Sequence, residues 1–321
     1  MSKAVLPSLP DLYAARDRIA NQAFRTPLVR LEAPDAPGDI WLKLECLQPI
    51  GSFKIRGAAN AMAQIAPEDL ARGVVTASAG NMAQGVAWCA RLRGIPCTVI
   101  APATAPAGKL SAIERLGARI IQAPFDRWWQ TFEERRYPGV EGAFIHVFDD
   151  PSVMAGNGTI GLEILEDLPD VEAVVIPWGG GGLACGVGAA VRALSPRCRL
   201  HAAEAETGAP LVAALAAGRP VTVDYRRSFV DGIGSRQVFP RMLERARSLL
   251  DGSIVTSLAQ IGAAARLMVE RARVVAEGAG SCSLAAAMSG RAGSGKVVCV
   301  VSGGNIDLDV LAGLLAGRPP A

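Results

Sequence analysis

The sequence predicts an α/β fold built on parallel β-sheets. Over most of the 321 residues, short apolar runs alternate with segments of helical periodicity, the rhythm of strand–helix–strand units. The apolar runs lack polar–apolar alternation, which is typical of strands buried on both faces. Glycine accounts for 35 residues, about 11% against a usual ~7%, so tight turns and close backbone approaches are expected.

The elements follow one another in a regular order. After an N-terminal helical stretch, the predicted strands are residues 40–44, 74–78, 97–101, 118–122, 143–148, 171–177, 200–203 and 297–301. The helical patterns that follow them are residues 81–93, 106–116, 126–136, 153–167, 183–194, 211–217 and 308–315. Residues 253–289 contain two helical patterns with no strand between them. No shift in composition marks a domain boundary.

Composition and charge exclude several classes of protein. The chain is 50% hydrophobic and 20% charged, unlike a disordered, collagen-like or coiled-coil chain. The net charge is +3 and no basic cluster is interleaved with aromatic residues, so we expect no nucleic-acid partner. Residues 1–13 lack the apolar core of a signal peptide, and the most apolar stretch, 171–191, is interrupted by Pro177 and glycines. We therefore expect a cytoplasmic protein with no membrane partner.

The seven cysteines predict no zinc site. They are odd in number, no CxxC spacing occurs, and most lie in apolar segments. We therefore expect reduced thiols in the core, as is usual in the cytoplasm.

The first candidate for chemistry is Lys54 in the segment GSFKIRGA, residues 51–58. This lysine lies between Phe53 and Ile55 where a helix should begin. Desolvation and the positive end of a helix would both lower its pKa, which suits an amine nucleophile that forms a Schiff base. The alternative is a surface lysine with its ammonium group in water, which the octapeptide alone favours.

The segment PWGGGGLACG, residues 177–186, places four consecutive glycines between a predicted strand and a helix. Successive N–H groups without side chains, at the start of a helix, form a good binding site for a phosphate. A flexible turn is the alternative, but four glycines would lose much backbone entropy on folding. No GK[ST] follows, so the segment is not a P-loop.

Two further strand-to-helix turns carry polar side chains. SAGNMAQG, residues 78–85, offers small residues and the Asn81 amide, and VVSGGN, residues 300–305, ends a strand at Ser302. An ordinary helix cap or turn is the alternative for both, and for Ser302 on its own this alternative is favoured.

The four segments, in this order over nearly the whole chain, resemble the fold type II pyridoxal-phosphate enzymes, and within them the threonine/serine dehydratase and serine racemase family. The resemblance implies two domains, each with an open twisted, mostly parallel sheet flanked by helices. Residues 1–52 and 148–321 would form a large cofactor-binding domain, and residues 53–147 a small mobile domain. A homodimer is the family expectation.

The resemblance also implies the roles of individual residues. Lys54 would be the catalytic residue and bind pyridoxal phosphate covalently. The remaining cofactor-binding residues would be Phe53, Asn81, Gly179, Gly180, Gly181, Gly182, Leu183, Gly232, Glu277 and Ser302. The substrate carboxylate would be bound by Ser78, Ala79, Gly80, Asn81 and Met82.

The implied reaction is the deamination of a β-hydroxy-α-amino acid, such as threonine or serine, to a 2-oxo acid and ammonia by β-elimination. Ser302, opposite the pyridine nitrogen, favours this outcome over transamination, since a hydroxyl cannot stabilise a pyridinium as a carboxylate would. The cofactor supplies the electron sink and the protein selects the reaction.

The chain departs from the family pattern at three positions. Met82 stands where the family usually has His, which makes the substrate pocket more apolar and admits a bulkier substrate such as phenylserine. Ala79 stands where similar serine racemases have a second serine, so a dedicated racemase is disfavoured. Glu204 is the candidate ligand for a divalent or alkali cation, but Pro210 occupies the region of the usual second carboxylate. A solvated acidic loop is an equal alternative at Glu204.

Alternatives remain open within and outside this class. An amino-acid racemase and a β-replacement synthase share the fold, a binding protein without turnover would keep it, and a nucleotide-dependent oxidoreductase is more distant. Trp128 and Trp129 are best explained as helix packing, with a wall for a larger β-substituent as the alternative.

Overall fold

Two β-sheets organise the part of the chain that the computed structural model describes, residues 5–318. The large sheet has six strands in the order β1-β2-β10-β7-β8-β9, and the small sheet has four in the order β5-β4-β3-β6. The strands are β1 Leu28–Arg30, β2 Asp39–Lys43, β3 Val74–Ala77, β4 Cys97–Pro102, β5 Arg119–Ala123, β6 Ala143–Phe144, β7 Ala173–Pro177, β8 Arg199–Ala205, β9 Gly252–Thr256 and β10 Lys296–Val300.

Helices flank both sheets. They are α1 Leu9–Ile19, α2 Lys54–Met62, α3 Pro67–Leu70, α4 Asn81–Arg93, α5 Ala107–Glu114, α6 Phe125–Glu134, α7 Pro151–Asp167, α8 Gly182–Leu194, α9 Pro210–Ala217, α10 Pro240–Leu249, α11 Leu258–Leu267, α12 Gly278–Met288 and α13 Leu308–Leu315. All strand pairs are parallel except β1 with β2. The predicted α/β class with two mostly parallel sheets is therefore confirmed.

The central strand β7 explains why the apolar runs lack alternation. Val174 and Ile176 face one apolar core, while Ala173 and Val175 face another on the opposite side of the sheet. Successive side chains of a strand point to opposite faces, so a strand covered on both faces requires an apolar residue at every position.

The predicted elements differ from the structure mainly at sheet edges. The short strand β1 and the edge strand β9 were not predicted, and the predicted strand 143–148 is limited to Ala143–Phe144. The segment Gly252–Thr256 has the burial of an edge strand, with two buried and three half-buried residues. Because an edge strand pairs on one side only, its mixed composition resembles a loop.

A buried cluster of four charges joins the segments around α2. The Arg56 guanidinium donates to Glu45 Oε2 at 2.8 Å and to Glu163 Oε1 at 2.6 Å. The Lys43 ammonium lies 2.6 Å from Glu163 Oε2, and Thr26 Oγ1 donates to Glu45 at 2.6 Å. Two positive and two negative charges balance, which is the condition for burying them. The cluster fixes the first turn of α2, two residues from Lys54.

The predicted domain boundaries at 52/53 and 147/148 remain a prediction, although every strand of the small sheet falls between them. Within residues 5–318, no helix is long and apolar enough to cross a bilayer. All seven cysteines are buried and free.

Candidate active site

The carboxyl ends of β3, β7 and β10 and the first turns of α2, α4 and α8 meet around one cavity of about 440 Å³. We call this cavity the cleft. Ligands of open α/β sheets bind at such a place, where strand-to-helix turns gather.

The predicted cofactor and substrate residues all line the cleft. They are Phe53, Lys54, Ser78, Ala79, Gly80, Asn81, Met82, Gly179, Gly180, Gly181, Gly182, Leu183, Gly232, Glu277 and Ser302. The tentative metal ligand Glu204 does not line it. Segments up to 250 residues apart in sequence are thus brought together by the two sheets.

Lys54 begins α2 and directs its amine into the cleft. Its Nζ lies 3.4 Å from the Val147 carbonyl oxygen and 5.0 Å from the centroid of the Phe53 ring. Desolvation lowers the pKa of Lys54 to about 8, and the nearby charge of Glu277 opposes this change only in part. A substantial fraction of this amine is neutral near physiological pH, as a nucleophile or proton acceptor requires.

The tetraglycine turn leaves no room for a side chain at Gly180, Gly181 or Gly182. A Cβ on Gly180 would lie 2.2 Å from Phe148 Cδ1, and one on Gly182 would lie 2.8 Å from Phe148 Cα. Gly181 has φ +89° and its backbone packs against the Trp178 ring. The helix α8 begins at Gly182, so its first N–H groups have no partner within the helix. The turn is therefore suited to an anion.

Asn81, at the start of α4, is held by two side chains from the neighbourhood of the large sheet. Its Nδ2 donates to Glu277 Oε1 and Oε2 at 2.9 and 3.2 Å, and its Oδ1 accepts from Asn305 Nδ2 at 2.8 Å. Asn305 Nδ2 also donates to the Ile50 carbonyl at 2.9 Å. The orientation of the Asn81 amide is therefore fixed on both of its ends.

Glu277 is buried beneath the floor of the cleft. Burial raises its pKa to about 7, while the hydrogen bond from Asn81 acts in the opposite direction. Gly232 and Gly303 approach it so closely that a Cβ on either would lie 3.2 or 2.6 Å from Glu277 Oε1. These glycines leave a flat surface in the cleft beside a carboxyl group.

Ser302 follows β10 and is joined to the turn that carries Lys54. The Ser302 carbonyl accepts from Phe53 N at 3.0 Å and from Ser52 Oγ at 3.3 Å. The hydroxyl of Ser302 and the amine of Lys54 are thereby held in the same cavity by a short backbone link.

Met82 contributes less to the cleft than its position in the sequence suggested. The residue is 1% exposed and belongs to the apolar core of the small sheet, with Ile50 and Val86. It lines the cleft from behind and adds an apolar side chain to that wall.

Glu204 is engaged within the chain. Its oxygens accept from Leu211 N at 2.8 Å, from Val212 N at 2.9 Å and from Ser253 Oγ at 2.6 Å. The carboxyl group thus caps the start of α9, which Pro210 opens. It is 1% exposed, so the alternative of a solvated acidic loop is wrong. Across residues 5–318, no group of three or more His, Cys, Asp or Glu side chains is placed to hold a metal ion.

Sequence reasoning missed two features of the site. Lys109 and Asp231 form an ion pair at the rim of the cleft, and Asn305 orients Asn81. Lys109 is one of only five lysines and follows a strand of the small sheet. These two signals could have identified it as a candidate site residue. Asn305 was quoted in its motif but given no role, because its partner is 224 residues away.

The arrangement fits pyridoxal phosphate. The tetraglycine turn can hold a phosphate, Lys54 supplies a half-buried amine that opens into the cleft for the aldehyde, and the flat surface at Gly232 leaves room for a ring. The Ser302 hydroxyl and Asn81 amide supply polar contacts at the edge of the same cavity.

Comparison with known proteins agrees with this geometry. Residues 19–303 match the family model described as pyridoxal-phosphate dependent enzyme. An L-threonine ammonia-lyase of Thermotoga maritima is 40% identical over 310 residues, covering 95% of this chain and 77% of the relative.

Two solved structures are similar over almost their whole length. Maize serine racemase superposes with a TM-score of 0.87 at 32% identity, covering 96% of this chain and 98% of that one. A threonine deaminase isoform from Solanum lycopersicum gives a TM-score of 0.84 at 28% identity, covering 99% and 93%.

Proposed function

This chain belongs to the pyridoxal-phosphate dependent enzyme family, and from that premise we propose that it is an ammonia-lyase. The proposed substrate is a β-hydroxy-α-amino acid, and the products are a 2-oxo acid and ammonia. The net reaction removes one water across Cα–Cβ and later adds one water to release the ammonia, so that atoms balance. The 40% identity to an L-threonine ammonia-lyase supports the reaction class.

One observation carries the proposal: the amine of Lys54 and the tetraglycine turn open into the same cleft. When bound, pyridoxal phosphate supplies an electron sink for the electron pair left on Cα. The N–H groups from Gly179 to Leu183 would hold its phosphate. Lys54 Nζ would hold the cofactor covalently, and, once released, would take the Cα proton.

Asn81 and Ser302 are uncharged side chains that would contact the polar atoms of the cofactor ring. Asn81 Nδ2 has two protons, of which one suffices for the bond to Glu277 and the other is free for the phenolic oxygen of the cofactor. Ser302 Oγ would face the pyridine nitrogen, where a neutral hydroxyl cannot hold a proton as firmly as a carboxylate. A hydroxyl in place of a carboxylate at this position supports elimination rather than transamination.

The loop from Ser78 to Met82 would bind the α-carboxylate. Gly80 is the N-cap of α4, so the first N–H groups of this helix are available to an anion. The apolar wall at Met82 supports substrates with an apolar β-substituent. We therefore include threonine, serine and the bulkier phenylserine in the proposal.

An amino-acid racemase is the second candidate, because maize serine racemase has so similar a structure. Ala79 argues against it, since a methyl group cannot return a proton to the face of the substrate opposite Lys54. A β-replacement synthase remains an alternative of the same fold. Chiral analysis of the recovered substrate separates racemisation from elimination.

We also propose that the protein is a cytoplasmic homodimer with residues 53–147 as a small domain that closes on substrate. Light scattering tests the dimer. Glu204 is proposed as a helix cap, because its oxygens already accept three hydrogen bonds. Ammonia release that is unchanged after chelation of divalent cations and exchange into a buffer without K⁺ supports this role, and a loss restored by Mg²⁺ or K⁺ contradicts it.

The main test is a screen for ammonia and 2-oxo acid over serine, threonine and phenylserine with cofactor supplied. We expect turnover by the wild type and at least a ~1,000-fold loss in Lys54→Ala, since covalent catalysis is removed. A wild type that binds cofactor yet releases no ammonia from any of the three would overturn the proposal.

A further inference from the structure

A second cavity, which we call the side pocket, lies beside the cleft. Its volume is about 260 Å³, and it shares Lys54, Ser78 and Gly179 with the wall of the cleft. Its wall is mostly apolar and includes Trp128 and Phe148, which also line the cleft, together with Trp129, Phe132, Val238 and Phe239. A substituent of a substrate held near Lys54 and Ser78 can therefore extend from the cleft into the side pocket and contact these apolar side chains.

The aromatic rings of this wall contact one another at angles typical of aromatic clusters. The centroids of Trp128 and Phe132 are 4.8 Å apart with planes at 90°, and those of Phe148 and Phe239 are 5.3 Å apart at 64°. Trp129 lies 5.6 Å from Phe239. Such edge-to-face and tilted contacts are favourable, and a further ring placed among them can make the same kinds of contact.

The volume fits an aryl group better than a methyl group. A dry engineered cavity of about 150 Å³ lined by Leu, Ile and Phe binds benzene. The side pocket is larger than this, whereas the methyl group of threonine would leave most of it empty. Apolar surface that stays unfilled contributes nothing to binding.

Apart from the Lys54 amine, which the side pocket shares with the cleft, the charges around the side pocket are neutralised or lie at its rim. His146 packs edge-on against Phe148 at 4.8 Å, and burial lowers its pKa to about 4, so it is neutral at pH 7. The Asp149 carboxylate is paired with Arg245 at 2.6 Å. Asp231 is exposed at the rim. A neutral, aromatic wall disfavours a carboxylate or ammonium on the substituent.

The aromatic residues around the side pocket come from two different parts of the molecule. Trp128 and Trp129 lie on α6, beside the small sheet, while Phe239 immediately precedes α10 and packs on the core of the large sheet. A ring in the side pocket would therefore contact both parts at once. Its binding would favour the arrangement in which they are close together.

We propose that the side pocket is the binding site for an aryl β-substituent, so that the preferred substrates are 2-amino-3-hydroxy acids with an aromatic ring on Cβ. This inference rests on the proposed lyase function and names its substrate class. Trp128 and Phe239 are assigned as specificity-determining residues.

The test compares kcat/KM for phenylserine with kcat/KM for threonine, expressed as a ratio within each variant. The wild type is expected to have a ratio above one. Trp128→Ala should lower the ratio by at least about 10-fold, because deleting part of an apolar pocket costs a factor of roughly 10–200 in discrimination. Phe239→Leu, a milder change, should lower it in the same direction by a smaller factor.

Phe125→Ala is the matched control. Phe125 lies on the same helix and stacks on Trp129 at 6.4 Å, but it is 58% exposed and lines neither cavity. Its removal should leave the ratio unchanged. The ratio is independent of the fraction of folded enzyme, so partial unfolding of a variant does not imitate the expected result.

Two outcomes would overturn the inference: a wild type that prefers threonine, or equal ratios in the wild type, Trp128→Ala and Phe239→Leu. Failure of the proposed function is distinct, because the wild type would then release ammonia from neither substrate.

Discussion

At the residue scale, Lys54 is the lysine on which the proposed covalent chemistry depends. Burial lowers its pKa from 10.5 to about 8, and the neutral amine is the form that attacks an aldehyde. Below the pKa, each decrease of one pH unit lowers the neutral fraction of the amine about tenfold. The rate of covalent attachment of pyridoxal phosphate to the apo protein should therefore rise with pH up to about 8 and then level off.

Borohydride trapping at a series of pH values, followed by the mass of the pyridoxyl peptide, measures this rate. Lys54→Ala is the control and should trap none. A rate that continues to climb to pH 10 would mean that Lys54 titrates as an ordinary lysine, and the account of its burial would be wrong.

Asn305 should act on the cofactor through Asn81. Asn305→Ala removes the donor to Asn81 Oδ1 and should weaken binding of pyridoxal phosphate about 2–12-fold, the value of one hydrogen bond. Asn305→Asp should be worse than Ala, because it places an acceptor opposite Asn81 Oδ1 and favours a flipped amide. Equilibrium dialysis measures both affinities.

The order of these two variants is the decisive result. If Asn305 served only to fill space, the nearly isosteric aspartate would bind cofactor better than alanine. That order would contradict the orienting role.

At the scale of single elements, the tetraglycine turn offers a matched pair of substitutions. A Cβ on Gly180 would lie 2.2 Å from Phe148 Cδ1, whereas one on Gly179 would have no contact shorter than 3.4 Å. Gly180→Ala should therefore lower the free energy of unfolding by about 1–3 kcal/mol, as overpacking does, and weaken cofactor binding. Gly179→Ala keeps its N–H group and should resemble the wild type.

Urea unfolding and cofactor titration of both variants test this prediction. Equal losses in Gly179→Ala and Gly180→Ala would show that any side chain disturbs the turn, rather than the particular contact with Phe148.

At the scale of the whole molecule, the buried cluster around Arg56 connects β2, α2 and α7. Arg56→Met leaves two buried carboxylates, Glu45 and Glu163, without their main partner. We expect a loss of about 3–5 kcal/mol in the free energy of unfolding. Urea unfolding measures it, with Arg30→Met as the control.

Arg30 is paired with Asp39 at 2.6 Å, but its side chain is 55% exposed, so its loss should change stability by at most ~1 kcal/mol. A similar small effect for Arg56→Met would contradict the importance of the cluster.

The cluster also has a defined dependence on pH. Burial alone would raise the pKa of Glu45, but Arg56 outweighs burial and holds it below the usual value. A carboxyl group with a lowered pKa in the folded state stabilises the fold above its unfolded pKa, about 4.3. This contribution is lost as the pH falls through the folded pKa.

Much of the fold and of the candidate site could be predicted because the signals are local. The helices Asn81–Arg93 and Leu308–Leu315 begin and end at the predicted residues, since their boundaries follow turn residues in the sequence. The positions of Lys54, the four glycines and Ser302 at strand-to-helix turns were enough to expect them around one cleft. The edge strands β1 and β9 were not predictable in this way, because pairing on one side imposes little pattern.

The sequence by itself determined the fold class, the family and the candidate residues that line the cleft, because these depend on the order of residues within short segments. Only the tertiary structure decided how Asn305 meets Asn81, how Glu204 comes to cap α9, and how three residues of α6 join residues of two distant loops around the side pocket. Each of these depends on contacts between residues far apart in the chain. Their energies arise only when the two sheets have brought the partners within a few ångströms.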